Sequence, residues 1–438
     1  MYREEYERKR ISMDQLLELF HSDAYVVLGS GPQSPVGLLS RLHELKGRAS
    51  NILTGTALPL KPFPVMTDPQ YKDILNQESF FYSPVQRISA KTGRCSYLPS
   101  HLRSAPTVSL RGRRDPDLLV TSVSPMDKHG YFSICAGCLV EPEAIQRAKR
   151  VVVEVCSRAP RTFGDTTLHI SQVDNIVECD RGLVEAAPAP IGEADMAIGR
   201  YVADLVEDGA TIQLGIGSIP NAVAKSLLGK KDLGMHTEML VDSTVDLVES
   251  GALTGRCKTL YPGKIVTVFT MGTQRLYDFI DNNPGIIHRS AAYTNDPYVI
   301  AQNYKMTSIN TTLQVDLFGQ CASEAVAGSQ ISGIGGQEET CIGAQMAPGG
   351  KSIMTLHATG EVRQKDGTTK LVSKIVPGLT PGTIVSTSRS DVEYVVTEFG
   401  VAELKGRTVR DRARALIDIA HPDFRAELTE SAERFHIL

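Results

Sequence analysis

The stretch DLGMHTEMLVD, residues 232–242, places one carboxylate among apolar neighbours. Glu238 stands there beside three potential partners, His236, Thr237 and Asp242. A carboxylate can serve as a general base, a metal ligand or a covalent nucleophile, and the exclusion of water strengthens such chemistry. An ordinary glutamate at the start of a helix explains the same letters, so the stretch alone leaves both interpretations open.

The neighbours of Glu238 suggest supporting roles. We expect His236 to be a structural group and Asp242 to cap or orient a helix that begins after Glu238. The apolar flanks Met235 and Met239 are expected to keep water away from the carboxylate.

Two glycine-rich turns could supply backbone N–H groups as hydrogen-bond donors. LGIGSIPNAV begins at Leu214, follows a strand pattern and opens a helix, where backbone N–H groups can face an anion. The third glycine of a dinucleotide fingerprint is replaced there by Pro220, which suits the first turn of a helix. GIGGQ, residues 333–337, forms the second turn. Each alone is more typical of a tight turn, but together with Glu238 they predict N–H donors for an oxyanion.

Other catalytic motifs are missing from the sequence. No G-x-S-x-G and no H-E-x-x-H occurs, so serine hydrolase and zinc protease chemistry lack support. Cys135 and Cys138 have C-x-x-C spacing, but no second pair follows, and they are interpreted as buried thiols. Cys321 is interpreted in the same way. We therefore expect no metal site.

Strand patterns alternate with helical patterns along the chain. AYVVLG, DLLVTSV, RVVVEV, ATIQLG, KIVTVFTMG and EYVVTEFG are rich in β-formers and bounded by Gly, Asp or other polar residues. IPNAVAKSLLG and VRDRARALIDIA carry apolar residues at spacings of three and four. Such alternation predicts an α/β protein with largely parallel sheets.

A weak internal similarity predicts two related open α/β domains. SDAYVVLGSGPQSP, from Ser22, and DGATIQLGIGSIP, from Asp208, both show a polar turn, a strand, Gly-x-Gly and then Pro. A segment rich in Pro and Ala, residues 185–195, separates them. The prediction is an N-terminal domain over 1–188 and a C-terminal domain over 189–438, with the active site in the cleft between them.

Composition narrows the function classes. The 438 residues are 42% hydrophobic and 22% charged, which is typical of a globular protein. A net charge of −4, without a concentrated basic excess, argues against a nucleic-acid partner. The charged, helical start is not a secretory signal, and no run of about 18 apolar residues predicts a membrane span. We expect a reduced, cytoplasmic protein.

The order of several motifs resembles a known family. LGIGSIPNAV, DLGMHTEMLVDSTVDLVESG, FTMGTQRLYDFIDNNP, INTTLQVDLFGQ, SGIGGQ, SKIVPGL, EYVVTEFGVAELKGRT and RARALIDIAHPDF are similar to the acetyl-CoA hydrolase/transferase family. Within it, the pattern is closest to 4-hydroxybutyrate and butyryl-CoA:acetate CoA-transferases. The resemblance covers most of residues 200–425 in order, and the N-terminal half more loosely.

The resemblance implies roles for particular residues. Glu238, in H-T-E-M, would be the nucleophile, and Glu398, in VTEFG, would help to position Glu238 or the acyl group. The loop Gly215, Ile216, Gly217, Ser218, Ile219 would contact coenzyme A near its thioester. Further coenzyme A contacts are implied around Leu313, Gly335, Gly336 and Lys365. Coenzyme A would be part of the substrate, with no tightly bound cofactor, and a homodimer or larger homo-oligomer is usual for such proteins.

The implied reaction is a ping-pong transfer of coenzyme A between an acyl-CoA and a short-chain carboxylate. It would pass through an acyl-glutamyl anhydride and a glutamyl-CoA thioester, and it needs no base because glutamate is ionised at neutral pH. A hydrolase using the same glutamate, and a non-catalytic acyl-CoA binding protein, are the alternatives. After GGQ the chain carries Glu338-Glu339, interpreted as a solvated turn, where the family has an apolar-Asp-aromatic segment, and the loop GSGPQSP also differs. Both differences leave the acyl group open.

Overall fold

The computed structural model describes residues 2–110, 115–364 and 366–438. Within these ranges, no helix is both long enough and apolar enough to cross a membrane.

Short strands make up the framework, and they are numbered in chain order. The first group is β1 (Tyr25–Leu28), β2 (Ile52–Gly55), β3 (Leu75–Ser79), β4 (Cys95–Tyr97), β5 (Leu118–Val123), β6 (Tyr131–Ser133), β7 (Val151–Cys156), β8 (Thr167–His169) and β9 (Asn175–Cys179). The second group is β10 (Thr211–Leu214), β11 (Gly234–Leu240), β12 (Ile265–Thr270), β13 (Ile286–His288), β14 (Thr307–Thr311), β15 (Gln314–Asp316), β16 (Cys321–Ala322), β17 (Ala325–Val326), β18 (Ser329–Gln330), β19 (Lys351–Thr355), β20 (Thr359–Arg363), β21 (Thr369–Ser373), β22 (Ile375–Val376), β23 (Tyr394–Thr397) and β24 (Gly400–Glu403).

Helices alternate with these strands and are numbered in the same way. The first group is α1 (Tyr2–Lys9), α2 (Met13–Glu18), α3 (Val36–Arg41), α4 (Pro64–Thr67), α5 (Pro84–Lys91), α6 (Ala105–Leu110), α7 (Glu141–Arg147) and α8 (Glu193–Leu205). The second group is α9 (Ser218–Ser226), α10 (Ser243–Glu249), α11 (Gln274–Ile280), α12 (Ala291–Thr294), α13 (Pro297–Ile300), α14 (Gln337–Met346), α15 (Val409–Asp418) and α16 (Pro422–Arg434).

The first unit contains residues up to Ala187, together with Leu240–Asp242 and Val266–Thr294. Its main sheet has the order β4-β3-β2-β1-β5-β7-β9, and every neighbouring pair is parallel. The strands β1, β5 and β7 are completely buried and rich in Val and Leu, as expected where both faces of a parallel sheet are covered.

The second unit contains Pro188–Met239, Ser243–Ile265 and Asn295–Leu438. Its strands lie in the order β11-β10-β14-β19-β23-β24. The β10-β11, β10-β14, β14-β19 and β19-β23 pairs are parallel, and β24 is antiparallel to β23. The chain passes from the first unit to the second between Ala187 and Pro188, and residues 240–242 and 266–294 belong to the first unit again. The division into domains 1–188 and 189–438 stays a prediction.

The predicted α/β class with largely parallel sheets is confirmed. Each of the six predicted strand segments contains a strand, and the two helical patterns form α9 and α15. The two similar segments supply β1 and β10, and each strand runs directly into a glycine-containing loop. In each sheet that strand pairs on one side with the strand that follows it in the chain and on the other with a later strand. Ligands of open α/β sheets bind at the carboxyl end of this switch point.

Candidate active site

Glu238 lies near the carboxyl end of β11, beside the loop that follows β10. Ile212 pairs with Met235 in the parallel register, and the hydroxyl of Thr237 donates a hydrogen bond to the carbonyl of Leu214 (3.2 Å). One residue further along, the same register places Gly215 beside Glu238. The predicted nucleophile and the first glycine of the predicted coenzyme A loop therefore lie at one edge of the sheet.

The strand changes the interpretation of the residues around Glu238. The alternative interpretation of Glu238 as an ordinary helix-start glutamate is wrong, because β11 runs from Gly234 to Leu240. Side chains alternate between the faces of a strand, so Met235 and Met239 point away from the face of Glu238. Both methionines are buried, but their expected role as the water-poor flank of the carboxylate is wrong.

The carboxylate of Glu238 accepts hydrogen bonds from two other residues of the second unit, to which Glu238 itself belongs. The side-chain amide of Asn295 donates to Oε2 of Glu238 over 3.3 Å. The backbone N–H of Gly336 also donates to Glu238. Burial raises the pKa of Glu238 to about 7, and the two donors act in the opposite direction. The expectation that Glu238 is simply ionised at neutral pH is therefore not supported, because its raised pKa lies close to neutral pH.

Gly336 is held in place by the first turn of α14. It is the N-cap residue of this helix, whose N-terminus carries partial positive charge. The amide of Gln337 donates to the carbonyl of Thr311 on β14 (3.1 Å). The hydroxyl of Thr340 accepts from the amide of Asn310 over 3.1 Å. The helix start is thus tied to the strand beside β10, and its N–H groups point to the edge that carries Glu238.

Asn295, which the sequence analysis missed, reaches Glu238 because α13 and α14 pack closely. Asp296 caps α13 by accepting from the N–H of Tyr298 (2.8 Å). A Cβ at Gly343 would lie 2.6 Å from Ile300, so glycine permits the close approach of the two helices. Asn295 is only 1% exposed, and its Oδ1 accepts no hydrogen bond within the described part of the chain. An asparagine directly before a capping Asp-Pro pair is the signal that could have drawn attention to it.

The predicted loop Gly215–Ile219 joins β10 to α9. Gly217 is the N-cap of α9 and has φ +120°, a backbone conformation that favours glycine. Ile216 is 45% exposed, although it is a large apolar side chain. The N–H groups of this helix start lie at the same sheet edge as Glu238, where an anion or a thioester oxygen could be bound.

The remaining predicted coenzyme A contacts fall into three groups. Gly335, at φ +57°, directly precedes Gly336 and is brought to Glu238 with it. Leu313 lies two residues beyond the carboxyl end of β14, at the same edge as the loop after β10. Lys365 lies outside the described residues.

Glu398 is at this sheet edge but on a distant strand. It follows β23, which is four strand positions from β11, a separation of about 19 Å along the sheet. Its carboxylate accepts a hydrogen bond from the backbone N–H of Ala358 (2.9 Å). This placement does not support direct positioning of Glu238 by Glu398, and leaves the acyl group as its predicted partner.

The structure also tests three further predictions, for His236, Asp242 and the pair Glu338-Glu339. His236 is buried, which agrees with a structural group. Asp242 accepts hydrogen bonds from the N–H (3.0 Å) and the hydroxyl of Thr273, the N-cap of α11. It therefore orients α11 instead of the helix that follows it. The solvated turn expected at Glu338-Glu339 is wrong, because both residues lie in the first turn of α14 and Glu339 is 2% exposed.

Comparison with known proteins decides the family. Residues 1–188 match the acetyl-CoA hydrolase/transferase N-terminal domain, and residues 272–432 match the C-terminal domain. The chain is 40% identical to 4-hydroxybutyrate coenzyme A transferase of Clostridium kluyveri, over 99% of this chain and 100% of the relative. The chain belongs to the acetyl-CoA hydrolase/transferase family. The resemblance predicted from the motifs is thereby confirmed.

Other members of this family have related names. A succinyl-CoA:cyclohexane-1-carboxylate CoA transferase of Geobacter metallireducens is 48% identical, over 82% of this chain and 80% of the relative. A butyryl-CoA:acetate CoA-transferase of Anaerostipes caccae is 33% identical over 100% of this chain and 98% of the relative. The predicted enzyme class agrees with these names, while the carboxylates in them differ.

Solved structures share the fold over the whole chain. RipA from Yersinia pestis is 35% identical, covers 100% of both chains and has a TM-score of 0.92. A 4-hydroxybutyrate CoA-transferase from Porphyromonas gingivalis is 34% identical, with a TM-score of 0.82 over 99% of this chain and 100% of that chain. A more distant sequence relative has a different name: an acetyl-CoA hydrolase of Yarrowia lipolytica is 26% identical over 73% of this chain and 66% of the relative.

Proposed function

We propose that the protein transfers coenzyme A from a short-chain acyl-CoA to a carboxylate, with Glu238 as the covalent nucleophile. One observation carries the proposal. A partly buried glutamate with a raised pKa receives the N–H of Gly336 and the amide of Asn295 at the carboxyl edge of a parallel sheet. Strongly perturbed groups of this kind concentrate at functional sites.

The proposed reaction begins with attack of the Glu238 carboxylate on the thioester carbonyl. This forms an acyl-glutamyl anhydride and releases the coenzyme A thiolate. The thiolate attacks the glutamyl carbonyl, forms the glutamyl-CoA thioester and releases the first carboxylate. The incoming carboxylate and the thiolate then repeat the two steps in reverse, which restores Glu238. Splitting the exchange into such steps replaces one difficult reaction by easier ones.

Each tetrahedral intermediate in this sequence carries an oxyanion. The N–H of Gly336 at the start of α14 and those of Ile216 and Gly217 before α9 are suited to stabilise it. The anhydride is high in energy, so contacts to the remote part of coenzyme A would have to lower its barrier. A weakly solvated carboxylate supports the attack, because less hydration has to be removed from the nucleophile.

The reactions of butyryl-CoA with labelled acetate and of 4-hydroxybutyryl-CoA with labelled acetate test the transfer. A CoA-transferase converts the label to acetyl-CoA and releases the first carboxylate in equal amount, with no consumption of acyl-CoA when a carboxylate acceptor is missing. Product appearance without acetate would support the hydrolase that distant relatives are named for. Binding without any turnover, unchanged in Glu238→Ala, would support an acyl-CoA binding protein.

For the two acids exchanged in the cell, the proposal names only their class, short-chain carboxylates. Butyrate, 4-hydroxybutyrate and acetate are the proposed carboxylates, and succinate and cyclohexane carboxylate appear in the names of other relatives. Parallel rate measurements with all five acids rank them. Cytoplasmic localisation and a homodimer or larger assembly remain proposals, which fractionation and light scattering test.

A further inference from the structure

A buried carboxylate in the second unit joins three segments that are distant in the sequence. Asp195 is 5% exposed and lies in the first turn of α8. Its Oδ2 accepts from the N–H of Gly192 over 2.7 Å. Its Oδ1 accepts from the hydroxyl of Ser218 and interacts with Nε2 of His357, both at 2.8 Å. The carboxylate thus has partners on both oxygens.

The geometry of this group excludes a serine-hydrolase triad. In such a triad the serine hydroxyl donates to the histidine, and the carboxylate binds the far nitrogen of the same ring. Here both Ser218 and His357 bind Asp195, and within the described residues the Ser218 hydroxyl donates to this carboxylate and not to a histidine. Asp195 binds both side chains, and it can influence the proposed reaction only by fixing the positions of Ser218 and His357.

The two side chains bound to Asp195, those of Ser218 and His357, lie next to two parts of the predicted substrate site in the chain. Ser218 is the first residue of α9 and directly follows the Gly215–Gly217 loop. His357 directly precedes Ala358, whose N–H binds the carboxylate of Glu398. The packing of α8 on α9 is close, since a Cβ at Gly199 would lie 2.7 Å from the carbonyl oxygen of Ala222. Asp195 therefore rests on a rigid contact.

We infer that Asp195 is a positioning residue for the proposed coenzyme A transfer. Through Ser218 it fixes the direction of the N–H groups in the Gly215–Gly217 loop, and through His357 it holds the segment beside Glu398 in register with that loop. The inference rests on the proposed function, because the loop is assigned to the thioester there. It adds Asp195 and His357 to Ser218, which the resemblance had already named as a coenzyme A contact.

Loss of the Ser218 hydroxyl is the first test. Ser218→Ala should lower kcat for butyryl-CoA:acetate exchange about tenfold, less than the complete loss of an oxyanion donor costs. KM for butyryl-CoA should change less than kcat, because the loop acts most strongly in the transition state. Ser218→Thr keeps the hydroxyl and should restore most of the rate.

Ser226→Ala is the matched control in the same helix. Its hydroxyl donates to the carbonyl of Ala222 (2.9 Å) and has no link to Asp195. Both alanine variants should unfold within a few degrees of the wild type, but only Ser218→Ala should lose kcat. A purely structural hydroxyl would lower the unfolding temperature without this difference in kcat.

Variants of His357 independently test the second contact of Asp195, which holds the segment beside Glu398. His357→Gln places an amide donor near the position of Nε2 and should retain most of the activity, whereas His357→Leu should lose it several-fold. Wild-type exchange together with unchanged kcat in Ser218→Ala and His357→Leu would overturn the positioning role. No exchange in the wild type would instead refute the proposed function, and a loss of kcat in Ser226→Ala equal to that in Ser218→Ala would overturn the positioning role.

Discussion

The amide of Asn295 donates a 3.3 Å hydrogen bond to the carboxylate of Glu238, although 57 residues separate them in the chain. A bond to a buried carboxylate favours its charged form, and the N–H of Gly336 has the same effect. Burial outweighs both donors, because the pKa of Glu238 is still raised to about 7. The pKa of Glu238 therefore lies within the physiological range.

The pH dependence of the rate follows from this pKa. Attack needs the carboxylate, so kcat/KM for butyryl-CoA should fall as the pH drops below about 7, and approach a tenfold loss per pH unit. Initial rates from pH 5 to pH 9, with the enzyme checked for folding at each pH, measure the acid limb. A limb near 4.5, the ordinary value of glutamate, would contradict the desolvated site.

Removal of the Asn295 amide should shift the acid limb of the kcat/KM profile against pH. Asn295→Ala deletes a donor that stabilises the carboxylate, so the pKa of Glu238 should rise and the limb should shift to higher pH, by about one unit. Asn303→Ala is the control, because Asn303 is also buried but donates to the carbonyl of Ile300. Equal limbs in the two variants would show that the contact does not tune Glu238.

A side chain at Gly336 should block the site. A Cβ there would overlap both Nδ2 of Asn295 and Oε2 of Glu238, closer than real Cβ contacts allow. We expect Gly336→Ala to reduce kcat by about two orders of magnitude, comparable to the loss of an oxyanion donor. Gly229→Ala is the control, since nothing lies within 4 Å of the added Cβ. Similar kcat values for both variants would refute the close packing around Glu238.

Replacement of Glu238 should reveal the cost of its burial. With a folded-state pKa of about 7 and an ordinary value of 4.5, the cost is absent below about pH 4.5 and complete above about pH 7. Glu238→Gln should therefore be inactive but more stable than the wild type at pH 8, by up to about 3 kcal/mol, with a much smaller difference at pH 5. Denaturant unfolding at both pH values measures this, and a loss of stability at pH 8 would contradict it.

Much of the framework was predictable from local pattern. Apolar runs bounded by turn residues predicted β1, β5, β7, β10, β12 and β23, since buried parallel strands are continuous in hydrophobicity. The two glycine loops were also predicted, because strand-to-helix turns that expose N–H groups need glycine at positive φ, as at Gly217.

The polar contacts of the site were not predictable in the same way. Asn295 meets Glu238 through the packing of α13 on α14, and no spacing in the sequence encodes that approach. The two methionines beside Glu238 were expected to flank its carboxylate because they are its neighbours in the chain, but in a strand they point to the other face. Asp195, Ser218 and His357 meet only after α8, α9 and β19 have been assembled.

The most direct measurement is peptide mass spectrometry after incubation with butyryl-CoA, with and without borohydride. We expect the peptide that contains Glu238 to carry coenzyme A as a thioester, and borohydride to convert that side chain to a primary alcohol. Asn295→Ala should form less of the adduct at neutral pH, and Glu238→Gln none. Modification at another residue, or an unmodified Glu238 peptide during turnover, would contradict covalent catalysis by Glu238.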